Sequence, residues 1–311
     1  MTPRQLTVLL SLGIVWGSSF LFIRVLVDAD MDPLGVAAAR LAVGSLFLVP
    51  LAWLAREQLP RDAKTWVFLA GLGLFNFALP WTLFPLSEQH IPSGVASIAN
   101  SCTPLWASVF AAFTVPGEHF TSRRAAGLGL GFVGITVLMA NDVSGIDGGA
   151  VWGILGVVLA TLLYGASAVF IRLRMSHVRP IALTAGQIGV AAAVMIPLAL
   201  ATNAYGDARM GAAEWGSVAA LGGLGSGVAV IAYMWLIGSL GPVRASVVTY
   251  LMPPVGVLLG WAVLDEEIGW NLVLAILLIV SGVALVQNLS LRRLPRAAYR
   301  RVVPSSAAAE P

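Results

Sequence analysis

The stretch Trp16-Gly17-Ser18-Ser19-Phe20-Leu21-Phe22-Ile23-Arg24 recurs as Tyr164-Gly165-Ala166-Ser167-Ala168-Val169-Phe170-Ile171-Arg172, five of nine positions being identical. Both copies lie inside long apolar runs, so one membrane unit is used twice, and such a repeat constrains architecture more than any single motif does. Pro33 and Pro50 correspond to Pro180 and Pro197, Pro92 and Pro104 to Pro242 and Pro254, and Glu118 and Gly134 to Glu266 and Gly282, at offsets between 147 and 150. Residues 1–142 therefore align with 148–290, and the basic tail from Leu291 to Pro311, partly disordered by its composition, lies outside the repeat.

With 58% hydrophobic and only 11% charged residues, the chain is far from the soluble average of about 25% charged. Runs of roughly 20 apolar residues match a hydrocarbon core of about 30 Å. Ten are expected, near 6–27, 34–54, 66–86, 92–116, 122–140, 150–171, 181–202, 214–237, 242–263 and 269–289. The first exceeds a secretory h-region, lacks a small-residue cleavage site and is expected to be retained. The single cysteine, Cys102, has no partner for an internal disulfide.

Fifteen of eighteen basic residues fall on alternate loops and ends: Arg4, Arg56, Arg61, Lys64, Arg123, Arg124, Arg172, Arg174, Arg179, Arg244, Arg292, Arg293, Arg296, Arg300 and Arg301. By the positive-inside rule those segments, with both termini, are cytoplasmic. Most acids, including Asp28, Asp30, Asp32, Glu88, Asp142, Asp147, Asp207, Glu214, Asp265, Glu266 and Glu267, fall on the outside. Five spans per copy is an odd number, so the second copy enters from the opposite face. The fold class read from the chain is an all-α membrane protein of ten transmembrane helices in two inverted five-helix repeats, an arrangement suited to alternating access around a central site.

Several stretches together resemble the drug/metabolite transporter superfamily and, within it, the EamA-type ten-helix exporters. They are Trp16-Gly17-Ser18-Ser19-Phe20, Arg40, Pro92-Ser93-Gly94-Val95-Ala96-Ser97 leading to Thr103-Pro104 and Glu118, Gly127 to Gly134, and Pro253-Pro254 with Glu266. The resemblance covers nearly the whole chain. It implies export or exchange of small metabolites, amino acids or drug-like solutes across a bacterial inner membrane, without fixing the substrate.

A polar side chain near the bilayer midplane is costly unless it faces a cavity or a partner. On that ground the candidate substrate-binding residues are Trp16, Ser19, Arg40, Asn76, Trp81, Asn100, Tyr164, Gln187, Tyr233, Thr249 and Tyr250, with Ser18, Ser97, Ser101, Thr103 and Ser226 also near the midplane. Hydrogen bonding within or between helices is the plainer reading of an isolated serine. Cavity lining is favoured for Trp16, Asn76, Asn100, Tyr164 and Tyr250. Pro104, Pro253 and Pro254 are expected to break their helices just after Asn100 and Tyr250.

Arg40 stands about six residues, roughly 9 Å, inside its span, with Gln187 at the matching place in the second copy. Its guanidinium suits a substrate carboxylate or phosphate; the alternative is snorkelling to the headgroups or tying down carbonyls of a broken helix. Glu118 and Glu266 read as edge acids favoured by the N-terminus of the helix that follows each. His90, His119 and His177 lie in or next to loops without metal-site spacing, so neither metal nor cofactor is expected. Gly127, Gly129, Gly131 and Gly134, and Gly223 with Gly227, permit close helix packing within the bundle or, alternatively, a homodimer face.

The span interiors hold no His, Asp or Glu, which speaks against an enzyme and, because proton carriers commonly use such a group, for a facilitator or exchanger driven by the solute gradient. The partners expected are a small-molecule substrate and membrane lipid, the latter also beneath Arg292 to Arg301, and not nucleic acid. A lipid flippase or a passive pore remains as the alternative function.

Overall fold

The computed structural model describes residues 2–57, 59–116, 119, 121–138, 148–206, 208–240 and 245–286. Glu118, Asp142, Asp147, Asp207, Pro242, Arg244, the repeat ends at 139–142 and 287–290, and the tail from Leu291 lie outside them.

All regular structure among the described residues is helical. Seven helices of the described residues are long and apolar enough to cross a membrane: α1 (Pro3–Asp28), α2 (Pro33–Leu54), α3 (Ala63–Glu88), α4 (Ser93–Thr114), α6 (Gly148–Met175), α7 (Pro180–Ala201) and α8 (Ala212–Leu240). The shorter α5 (Ser122–Leu138), α9 (Val248–Leu264) and α10 (Trp270–Val286) complete the order. Several helices run past the apolar runs that announce them because polar residues close their ends. Thr2 and Gln5 form a reciprocal capping box ahead of Pro3. Asp32 accepts from Leu34 N and Asp62 from Thr65 N, both at 2.8 Å. Large side chains such as Trp53, Leu46 and Leu277 stand exposed on the outside of the bundle, where lipid replaces water as the solvent.

Packing respects the repeat. Helix α2 lies against α7 and α5 against α10; α1 meets α8 and α9 just as α6 meets α3 and α4; and α2 meets α8 as α7 meets α3. Each contact maps onto another when the first five helices are exchanged with the last five. A Cβ on Gly17 would lie 2.7 Å from Val255 Cβ, and one on Gly165 2.7 Å from the backbone nitrogen of Ala107, so both α1–α9 and α6–α4 require glycine for their approach. The glycine stripe of α5 is likewise accounted for within the chain: Gly127, Gly131 and Gly134 face Gly282, Leu105 and Ile279, while Gly129 meets nothing within 4 Å. Gly223 and Gly227 of α8 pack on Phe47.

Several helices are interrupted at mid-depth. Helix α3 passes through a π-helical stretch at Leu74–Ala78 and α8 through a longer one at Ala220–Val228. Helix α4 stops at Asn100 and resumes at Thr103; a 3₁₀ turn, Ser246–Tyr250, overlaps the start of α9, whose α-helical part begins at Met252. Pro104 and Pro253 sit in the first turn of the resumed segments, where the missing N–H would have had no intrahelical acceptor; Pro254 follows Pro253.

Candidate functional site

The interruptions surround one cavity of about 430 Å³, the size of a small-molecule site. Nine of the eleven candidate residues line it: Trp16 and Ser19 from α1, Arg40 from α2, Asn76 and Trp81 from α3, Asn100 from α4, Tyr164 from α6, Tyr233 from α8 and Thr249 from α9. Thr103 and Ser226 also reach it.

Two candidates do not. Gln187 is 2% exposed and stands behind Asn76, accepting from its Nδ2 at 3.1 Å while donating to Leu183 O at 3.2 Å. It positions Asn76 instead of facing the cavity. Tyr250 packs beside the hydrophobic cluster adjoining the cavity, with its hydroxyl buried and unpartnered. The 3₁₀ turn directs Thr249 inward, and its neighbour is consequently turned away. Residues that polarity alone does not reveal complete the wall, among them Phe20, Ile23, Phe84, Thr184, Ile188 and Met252. Helical spacing carries some of that signal: Phe20 and Ile23 lie four and seven residues after Trp16, on the same face.

The π-helical stretches set the polar geometry by loosening the backbone ladder. The carbonyl of Gly225 accepts from Trp16 Nε1 at 2.9 Å, and Trp16 packs edge-on to Tyr233 with centroids 5.1 Å apart. Ser226 Oγ donates to Leu221 O at 3.0 Å and accepts from Arg40 Nε at 3.2 Å. The Arg40 guanidinium lies 3.9 Å from the centroid of the Trp81 ring, a cation–π stack. Arg40 thus points into the cavity and does not snorkel to an interface. Among the described residues it forms no ion pair. Opposite in character, Asn100 Oδ1 is buried with no donor.

At the end of the bundle bearing Asp28 and Asp30, two acids depart from the loop assignment. Glu266 does not serve the helix that follows it. Its carboxylate crosses to the first turn of α4 and accepts from Ser93 N at 2.7 Å and Gly94 N at 2.9 Å. Glu88 is the last residue of α3, is 0% exposed, and neither carboxylate oxygen has a hydrogen-bond partner. A tight turn at its C-terminal side carries it inward, where a loop assignment had placed it in solvent. His90, His119 and His177 are exposed, as loop residues should be.

The profile of the EamA-like transporter family matches residues 4–140 and again 151–287. The chain belongs to the EamA-like transporter family. Relatives span nearly its whole length. The uncharacterized transporter YoaV of Bacillus subtilis is 24% identical over 88% of this chain and 94% of its own. The uncharacterized inner membrane transporter YedA of Escherichia coli K12 is 28% identical over 89% of each. A probable terminal-alkyne amino-acid exporter of Streptantibioticus cattleyicolor is 25% identical over 81% of this chain and 83% of its own. One solved crystal structure shares the fold with a TM-score of 0.59 and 22% identity, over 89% of this chain and 98% of that one. This EamA-like protein is accordingly a multi-helix membrane transporter and not an enzyme.

Proposed function

We propose that this transporter moves a small organic solute that carries an anionic group, a carboxylate foremost, on an apolar or aromatic body, and that it does so by alternating access around the central cavity. The observation that carries the reading is Arg40, a cavity-facing cation that forms no ion pair with any described carboxylate. A charge held at that depth is costly until an anion joins it, and the stack on Trp81 leaves the guanidinium's forked donors available beyond the Nε–Ser226 bond. Asn100 Oδ1 supplies an acceptor for an ammonium or hydroxyl on the same solute, and Trp16, Phe84, Tyr164 and Tyr233 supply aromatic surface. An amino acid meets all three demands, and one relative is named for amino-acid export.

Residues 1–142 and 148–290 act as the two units that exchange conformations, in a bacterial inner membrane with both termini cytoplasmic; the Asp28–Asp30 end is then the outer one. In a Cys102→Ala background, cysteines at Asp30 should react with an impermeant thiol reagent from outside, whereas those at Arg61 and Arg174 should not. Labelling of Asp30 and Arg61 positions from one side would sink the topology. The function itself is tested by counterflow in proteoliposomes with a panel of amino acids, their amides and their decarboxylated amines. Saturable, mutually competed flux of the acids alone is expected. Unsaturated flux would mean a pore, and equal transport of the amines would remove the anion requirement.

A further inference from the structure

The buried end of α3 holds a feature that the cavity does not explain. Glu88 closes its helix with both carboxylate oxygens out of solvent and without a donor. The charged groups around it are each engaged elsewhere. Arg24 of α1 faces the same helix end, but its Nη1 donates to the Glu88 carbonyl at 2.6 Å and its Nε pairs with Asp28 at 2.8 Å. Glu266, from the α9–α10 connection, presents a second negative charge to Glu88, and its oxygens are taken by the amides of Ser93 and Gly94. Asp28 adds a third. His90 lies two residues along the chain and is exposed. The helix packed on the other side, α6, brings Gly153 and Gly156 against Ser87 and Ile91 and no charge. The Arg24 charge reaches the Glu88 side chain without a hydrogen bond to it, and the burial of the carboxyl and the negative charges of Glu266 and Asp28 oppose it.

We propose that Glu88 is a proton-binding site controlling whether this end of the molecule opens. An isolated carboxylate is not tolerated in such a place, whereas a neutral carboxyl is. The end is therefore sealed with the Glu88 proton in place. When α3 and α4 part from α1 and α9, water reaches the carboxyl and the O–H proton passes to water, leaving a solvated carboxylate. Resealing takes one proton back. Acid holds this end shut and alkali releases it. Glu266, which bonds the second half of the chain to the first turn of α4, is the mechanical latch over the same seam. This replaces the expectation of a carrier indifferent to protons, which rested on every acid and histidine mapping to a loop or a membrane edge.

The proposal goes beyond the anion-carrier reading and needs from it only that this end opens; its test uses neither substrate nor membrane orientation. In purified Cys102→Ala protein in detergent, a cysteine replaces Val257, which is 6% exposed and faces Gly94 across the seam. An exposed Asp30→Cys protein corrects for the reagent's own pH response. Between about pH 5.5 and 8.5 the normalised labelling rate should rise by roughly tenfold, as one titrating group shifts a two-state equilibrium. E88Q, which keeps the shape of the neutral carboxyl, should label slowly at every pH. E88L serves if E88Q does not fold, and should be equally flat. E266Q should label faster throughout yet keep the rise, and H90A should behave as the parent. A flat response in the parent, or a rise that survives E88Q or E88L, overturns the proposal, as does a rise abolished by H90A.

Discussion

The two halves of the chain make the same cross-helix contact with different chemistry. From α2, Arg40 Nε reaches the π-helical stretch of α8 and donates to Ser226 Oγ at 3.2 Å. From α7, Gln187 Oε1 reaches the π-helical stretch of α3 and accepts from Asn76 Nδ2 at 3.1 Å. Arg40 and Gln187 are repeat partners at an offset of 147, and Asn76 and Ser226 at 150. One contact is neutral and mutually satisfied; the other leaves a cation facing a cavity. The two copies share a scaffold, and one of them places a cation where the other places an amide. Under the proposed function, that difference is what lets a pseudo-symmetric carrier bind an asymmetric solute.

Breaking the charged contact should have the largest effect. Arg40→Ala removes the cation and its forked donors, and transport of an anionic solute is expected to fall by about 100-fold, the size of a lost charge-assisted hydrogen-bond pair. Arg40→Lys keeps the charge without the fork or the stack and should recover roughly a tenth of the activity. Initial rates in proteoliposomes, normalised to protein in the bilayer, measure both. If Gln187→Ala costs as much as Arg40→Ala, the halves are functionally equivalent and the comparison fails.

The shared scaffold is tested through Gly17 and Gly165. An alanine at either must displace Val255 and the Met252 carbonyl, or the Ala107 backbone. Each should lose about 1–3 kcal/mol of stability, read as a lower unfolding temperature in detergent. Gly129→Ala, with open space around it, should lose none. An unaffected Gly165→Ala beside a destabilised Gly17→Ala would show that the close approach is not a property of both repeats.

Smaller changes sharpen the division between lining and support. Trp16→Ala and Asn100→Ala take away cavity contacts and are expected to reduce transport by about tenfold each, while Ser217→Ala does little. Tyr250→Ala belongs, by its packing, with stability and not with flux. Gln187→Ala, acting only through Asn76, should lower the apparent affinity about threefold, the scale of one neutral hydrogen bond. Competition by unlabelled solute measures it, and a tenfold loss there would place Gln187 against the solute.

Much of the candidate site is legible in the chain because membrane burial makes polarity informative: a Trp, Asn or Arg at mid-span has few places to go. Trp16, Arg40, Asn76, Trp81 and Asn100 all reach the cavity. Gln187 and Tyr250 escape that logic since a polar group is equally satisfied by another protein group, as Gln187 is by Asn76, or left in a packed wall, as Tyr250 is. The apolar lining, Ile23 and Ile188 for instance, carries no polarity signal at all.

The multi-helix membrane setting and the internal repeat are legible in the sequence, because apolar run length and internal identity are local or self-referential properties of the chain. The surroundings of Glu88 and Glu266 were decided by tertiary structure alone. Both stand at the ends of apolar runs, where sequence distinguishes a solvated acid from a buried one in no way. Glu266 finds its donors 172 and 173 residues away, and Glu88 loses its solvent to helices contributed by both halves. Burial and capping of this kind depend on which chain ends meet in space, and hydropathy along one segment does not encode that.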